Sequence, residues 1–166
     1  PNYNYLKENA DRVKCYIISH AHDDQMGALP YIYRKVPAPI YCSKLTAELI
    51  KSKTLIYGLK PIDYDFHIVE NGPTIINNRE FVFINMTHSV PGTLSVAIDT
   101  DEGYIFYASD FIIDFGAPST NQMDFKLLTT LSLKKKILIL FSESCDADKP
   151  SHASPNHRIT QHIQRE

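Results

Sequence analysis

ISHAHDDQMGALPY, residues Ile18 to Tyr31, sets two histidines and two aspartates within five positions, between an apolar run and a helix-like one. The run before it, Val13 to Ser19 (VKCYIIS), is short and rich in β-branched residues and predicts a buried strand that stops at His20. The stretch after it, Met26 to Lys35, predicts a helix, in which Pro30 is tolerable only near the first turn. The polar cluster therefore falls at the C-terminal end of a strand, where loops converge into sites.

Further along, Pro39 to Cys42 reads as a strand. Ser43 is placed to cap a helix carrying Leu45, Leu49, Ile50 and Ile56 on one face and closed by Gly58. Phe66 to Val69 is a strand followed by a turn at NGP. Three more strands follow, Glu80 to Thr87, Leu94 to Thr100 and Tyr104 to Ala108, the last two joined by the hairpin signal Asp101-Glu102-Gly103. A helix from Gln122 to Leu133 leads into Ile137 to Glu143, read as another buried strand, and Ser154-Pro155 opens a last helix. Strands alternate with helices early and hairpins dominate the middle, which predicts a layered α/β core in one domain, residues 1–166. With no initiator Met and no cap on the last helix, the chain reads as a piece of a longer polypeptide.

Hydrophobic residues make up 43% and charged residues 22%, and the net charge of −2 exerts no global pull on nucleic acid. No stretch approaches the ~18 apolar residues of a membrane span, and PNYNYLKENADR lacks the apolar core of a signal peptide. The three cysteines, Cys15, Cys42 and Cys145, are odd in number and widely spaced, which predicts reduced thiols in a cytoplasmic protein with no membrane partner.

His20, His22, Asp24, His88 and Asp110 each lie just past a predicted strand end. One residue separates His20 from His22, so an extended loop turns both toward one point, and His88 adds a third imidazole, a donor set that suits zinc. Asp110 could bridge that ion to a second one on Asp24, and a pair of ions activates water and stabilises charge on a phosphoryl or carbonyl oxygen.

HAHDDQ, His20 to Gln25, resembles the HxHxDH signature of the metallo-β-lactamase superfamily, with Gln25 in place of the last histidine. MGALPY is similar to the continuation found in the ribonuclease J family. Thr87 to Phe111 (THSVPGTLSVAIDTDEGYIFYASDF) resembles that family's third-histidine, hairpin and bridging-aspartate segments, and Ser142 to Thr160 (SESCDADKPSHASPNHRIT) the segment before its inserted β-CASP domain. The resemblance covers most of residues 13–160 in one order. It implies part of an αββα, four-layer metallo-β-lactamase domain, with the β-CASP part and a later metal ligand outside this chain. Residue by residue, it assigns His20, His22 and His88 to the first ion and makes Asp110 the bridge. Asp24 then binds the second ion and, as the catalytic residue, orients the attacking water. It implies one or two Zn2+ ions, with Mn2+ or Mg2+ as harder alternatives, and RNA as substrate. A homo-oligomer, or a hetero-oligomer with a related ribonuclease J subunit, is implied as the assembly.

Gln25 departs from the pattern. A glutamine carbonyl is a poorer zinc donor than imidazole, so the second ion's site is weakened unless Asp23 substitutes, which would favour a harder ion. Three functions follow: a ribonuclease with endonuclease and 5′-to-3′ exonuclease activity; a weakly active or non-catalytic paralogue serving as partner to an active subunit; and a small-molecule hydrolase of the same superfamily. Among other polar residues, His67 reads as solvent-facing. His152 and His157, with Cys145 upstream, mimic a zinc set but read as surface residues. Cys15 and Cys42 read as small core residues, and Lys134-Lys135-Lys136 as a solvated helix end. Tyr31, Tyr33, Tyr57, Tyr104 and Tyr107 read as packing rather than base-stacking platforms.

Overall fold

The computed structural model describes residues 2–145, 147, 148 and 150, and they divide between residues 70 and 71 into two compact units. The helix expected after Ser154, with His152 and His157, lies outside the described residues.

The first unit runs α1 (Asn4–Glu8), a 3-10 turn, β1 (Tyr16–Ile17), α2 (Asp23–Met26), α3 (Leu29–Tyr33), β2 (Ile40–Cys42), α4 (Lys44–Ile56) and β3 (Phe66–Ile68). Its three strands lie in the order β1-β2-β3, all parallel. Parallel neighbours need crossovers, and α2 with α3, then α4, supply them. β1 is shorter than the run Val13 to Ser19 predicts, although Tyr16 N–H and Ile18 N–H still donate to Pro39 and Tyr41 carbonyls at 2.8 and 3.0 Å. The expected single helix from Met26 instead begins at Asp23, with Pro30 in the first turn of a second short helix. Ile18, Met26, Leu29, Tyr33, Ile40, Cys42, Ala47 and Ile50 form the core.

α4 is capped as expected. Ser43 Oγ accepts from Thr46 N–H at 3.4 Å, and Gly58, at φ +68°, lets Gly58 N–H and Leu59 N–H reach the Leu55 and Thr54 carbonyls at 2.9 and 3.2 Å. Its buried face is not the expected one. Thr46, Ala47, Ile50 and Thr54 point inward, while Leu45, Leu49 and Ile56 are exposed. Both threonines can face in because their hydroxyls have partners: Thr54 Oγ1 donates to Ile50 O at 2.8 Å and Thr46 Oγ1 lies 2.9 Å from Ser43 Oγ.

The second unit holds β4 (Gly72–Ile76), β5 (Arg79–Asn85), β6 (Leu94–Asp99), β7 (Tyr104–Tyr107), a 3-10 turn, α5 (Phe125–Lys134) and β8 (Ile137–Phe141). The sheet follows sequence order, antiparallel from β4 to β7 and parallel between β7 and β8, where α5 makes the crossover. β4 was not expected. It pairs with β5 through a two-residue loop, Asn77-Asn78, both at positive φ (49° and 62°) as a type I′ turn requires. At the β6–β7 turn Gly103 is needed for space, since a Cβ there would run into the Lys136 carbonyl. α5 starts at Phe125, where Asp124 Oδ1 accepts from Leu127 N–H at 2.8 Å.

Val82, Ile84, Met86, Ala97, Tyr104, Phe106, Ala108, Met123 and Leu131 make the core of this unit. β8 departs from its expected burial: all five residues of ILILF are exposed, from 38% at Leu138 to 58% at Leu140. Among the described residues it is an edge strand, and an unbroken apolar run is what a strand covered on both faces looks like, so composition alone suggests burial. The lysines at the end of α5 are tied down, Lys134 to Glu80 at 3.6 Å and Lys135 to Asp99 at 2.6 Å. Among the described residues no helix is long and apolar enough to cross a membrane.

Candidate metal centre

In the first unit, His20 is fully buried, and His22 is the N-cap of α2 with an extended backbone (φ −81°, ψ 152°). One residue, at a bend of the loop, separates the two histidines, and the expected convergence occurs: His20 Nε2 lies 3.0 Å from His22 Nδ1, with the rings edge-on at 79°. Two nitrogens each ~2.1 Å from one tetrahedral ion stand roughly 3.4 Å apart, so the pair needs to open by only a few tenths of an ångström to hold zinc.

Asp24 sits in the first turn of α2, exposed. Its carboxylate accepts from Gln25 Nε2 at 2.9 Å. That hydrogen bond is the main reason its pKa lies below the usual carboxylate range, and desolvation opposes it. Asp23, the alternative oxygen ligand, is engaged by α4 in this structure. Lys53 Nζ lies 2.8 Å from its Oδ1 and donates to its Oδ2 at 2.9 Å, and Tyr57 OH donates to Oδ1 at 3.4 Å, so the carboxylate faces α4.

In the second unit, β5 and β7 run the same way, since each is antiparallel to β6. Their C-terminal ends share one sheet edge, two strands apart, roughly 10 Å. The loops beyond close that gap, and His88 Nε2 lies 3.7 Å from Asp110 Oδ2, both side chains largely buried. Thr87 pins the first loop: its carbonyl accepts from Ile112 N–H at 2.8 Å and its Oγ1 from Met123 N–H at 2.9 Å. Asn121 Nδ2 donates to His88 O at 2.8 Å. Beside Asp110, Ser109 is buried at φ +60°, a conformation costing ~1–3 kcal/mol that persists only when its surroundings enforce it. Glu143, just past β8, accepts from Phe111 N–H at 3.0 Å.

Sequence reasoning missed Ser19, Thr87, Asn121 and Glu143 as the supports of these residues. The signal for Ser19 was present, a polar residue closing an apolar strand beside a site residue; Glu143 closes a strand but lies 32 residues from its partner Phe111, and Asn121 gave no signal. His67 is solvent-facing as expected, bonded to Asp65 at 3.1 Å and stacked on Tyr41. Cys42 is buried, and burial pushes its thiol up to about 12. Tyr33 and Tyr104 are buried, whereas Tyr31 is 40% exposed and stacks on Tyr57.

No protein-family model matches the chain. Over 163 residues it is 31% identical to Ribonuclease J 1 of Streptococcus pyogenes serotype M3, covering 98% of this chain and 29% of that protein. Ribonuclease J 2 of Staphylococcus aureus is 32% identical over 165 residues, again with 98% and 29% coverage. The chain thus spans 29% of the length of the curated relatives it matches. Among solved structures, a protein of unknown function from Enterococcus faecalis V583 superposes with a TM-score of 0.65 at 16% identity, covering 91% of this chain and 38% of that one. The MIM-2 metallo-β-lactamase superposes with a TM-score of 0.52 at 19% identity, covering 63% and 44%. These superpositions speak to the fold alone, two sheets with flanking helices of the metallo-β-lactamase type. The chain belongs to the ribonuclease J family and carries a part of it that has the metallo-β-lactamase fold.

Proposed function

We propose that this chain supplies the metal-binding part of a metal-dependent hydrolase that cleaves RNA phosphodiesters, acting as endonuclease and as 5′-to-3′ exonuclease. The observation that carries the reading is the match to ribonuclease J proteins over 98% of the chain. The donor chemistry agrees with it: His20, His22, His88 and Asp110 are the residue types a zinc site uses. In this reading residues 1–166 belong to one partial domain, and His20, His22 and His88 bind the first ion through imidazole nitrogens. Asp110 would be shared with a second ion, and Asp24 would help hold that ion and orient a water. Ions of the Zn2+ class, with Mn2+ or Mg2+ as alternatives, supply Lewis acidity toward a phosphoryl oxygen and acidify a water. Ser19 and Thr87 hold the histidine loops, and the Asp24 carboxylate, held by its hydrogen bond from Gln25, can accept a hydrogen bond from water. A cytoplasmic location and an oligomer of like or related subunits belong to the same reading.

Gln25 favours a second reading, a weakly active subunit that partners an active relative. Its amide is engaged by Asp24 and Ser19, so the second ion lacks an imidazole at that position. Metal content separates the two. If the intact polypeptide binds about one ion and Gln25→His about two, the partner reading holds. Two ions in the natural protein, with cleavage of 5′-monophosphorylated RNA abolished by His22→Ala, establish the enzyme. RNA cleavage that survives His22→Ala removes the proposed site.

A further inference from the structure

Gln25 uses its amide at both ends. Nε2 donates to Asp24 Oδ2 at 2.9 Å, and Oε1 accepts from Ser19 Oγ at 3.3 Å. Chemistry fixes the direction: a carboxylate has no proton to give, so the amide nitrogen faces Asp24 and the amide oxygen faces Ser19. Ser19 Oγ carries one proton and gives it to Oε1. The same oxygen stands 3.0 Å from His20 Nδ1. At that contact it can only accept, so Nδ1 carries the proton. A neutral imidazole protonated on Nδ1 has its lone pair on Nε2, the nitrogen that lies 3.0 Å from His22 Nδ1. Ser19 is 4% exposed and His20 0%, so bulk water does not compete for these bonds.

We propose that Gln25 is a positioning residue. Through Ser19 it fixes the His20 proton on Nδ1 and holds Nε2 as a lone-pair donor for an ion, while the other end of its amide aims the Asp24 carboxylate. The inference rests on His20 being a metal ligand, and it recasts the departure at the end of HAHDDQ. The residue that weakens one ion's site supports the other's. Partners of ligating histidines that set the tautomer typically matter ten- to a hundred-fold in metal affinity.

The test is the tautomer of His20, read from its ring 15N shifts in metal-free intact protein labelled at histidine, together with zinc affinity by calorimetry. The natural protein is expected to show Nδ1 protonated and Nε2 unprotonated. Gln25→Leu leaves the Ser19 proton without its acceptor and should mix the tautomers and weaken zinc binding about tenfold or more. Gln25→Glu, which still accepts from Ser19 but no longer donates to Asp24, should keep the tautomer and guards against a fold defect in the leucine variant. An unmixed Nδ1–H tautomer with unchanged zinc affinity in Gln25→Leu would overturn the proposal, and so would mixed tautomers in the natural protein. If the natural protein binds no zinc, the metal reading fails, and the nitrogen shifts still decide whether the relay exists.

Discussion

His20 and His22 meet because one residue separates them in the loop after β1, whereas His88 and Asp110 meet because three strands are in register. The first pair is written into the local sequence, with Ser19 and Gln25 behind it. The second depends on contacts far apart in the chain: β5 and β7 laid antiparallel to β6, Thr87 bonded to Ile112 and Met123, and Glu143 bonded to Phe111. A local pair should tolerate damage to a core that a register-built pair cannot.

The hardest blow to that difference is Ile84→Ala. Ile84 is fully buried near the C-terminal end of β5, and truncation should cost ~2–5 kcal/mol in denaturant unfolding. Histidine NMR of metal-free protein should show His88 disturbed and His20 and His22 nearly unmoved; equal disturbance of all three would remove the contrast. A smaller blow is Asp124→Ala. Asp124 caps α5, accepts from Asn71 Nδ2 at 2.8 Å and donates its N–H to Asn85 O at 3.1 Å, at the end of β5. Losing the side chain should cost ~1–2 kcal/mol and loosen the approach to His88. Its counterpart in the first unit, Ser43→Ala, breaks a longer 3.4 Å cap bond and should cost about 0.5–1 kcal/mol, with no change at His20 or His22. If its cost exceeds that of Asp124→Ala, cap geometry is not what ranks them.

The last effect appears only in alkali. A thiol raised from 9.0 to about 12 on folding binds its proton more tightly in the native state. Its stabilisation is therefore complete below pH 9 and lost as pH climbs toward 12. Urea midpoints should fall between pH 8 and pH 10 in the natural protein and fall less in Cys42→Ala. Parallel curves for the two proteins would show that Cys42 does not contribute.

Much of the site was legible because strand ends advertise themselves: HAHDDQ, His88 and Asp110 follow runs whose period and β-branching mark them as strands. The caps at Ser43 and Gly58 were legible for the same local reason. β4 was not, because the NGP at its start reads as a turn and the hairpin it makes rests on Asn77-Asn78, a weaker turn signal than Asn-Gly. The inward face of α4 was missed because hydroxyl groups satisfied within the helix let Thr46 and Thr54 replace leucine. The position of Asp23 was missed because its partner, Lys53, is thirty residues away.

β8 has a consequence for handling the protein. Ile137 to Phe141 presents five consecutive exposed apolar side chains on an edge strand, without a charge or proline among them. Such a strand is a template for another like itself. Preparations of the isolated chain should therefore turn turbid as concentration rises, in a manner seeded by preformed aggregate. A single lysine in place of Ile139 should lengthen the lag before the first fibres.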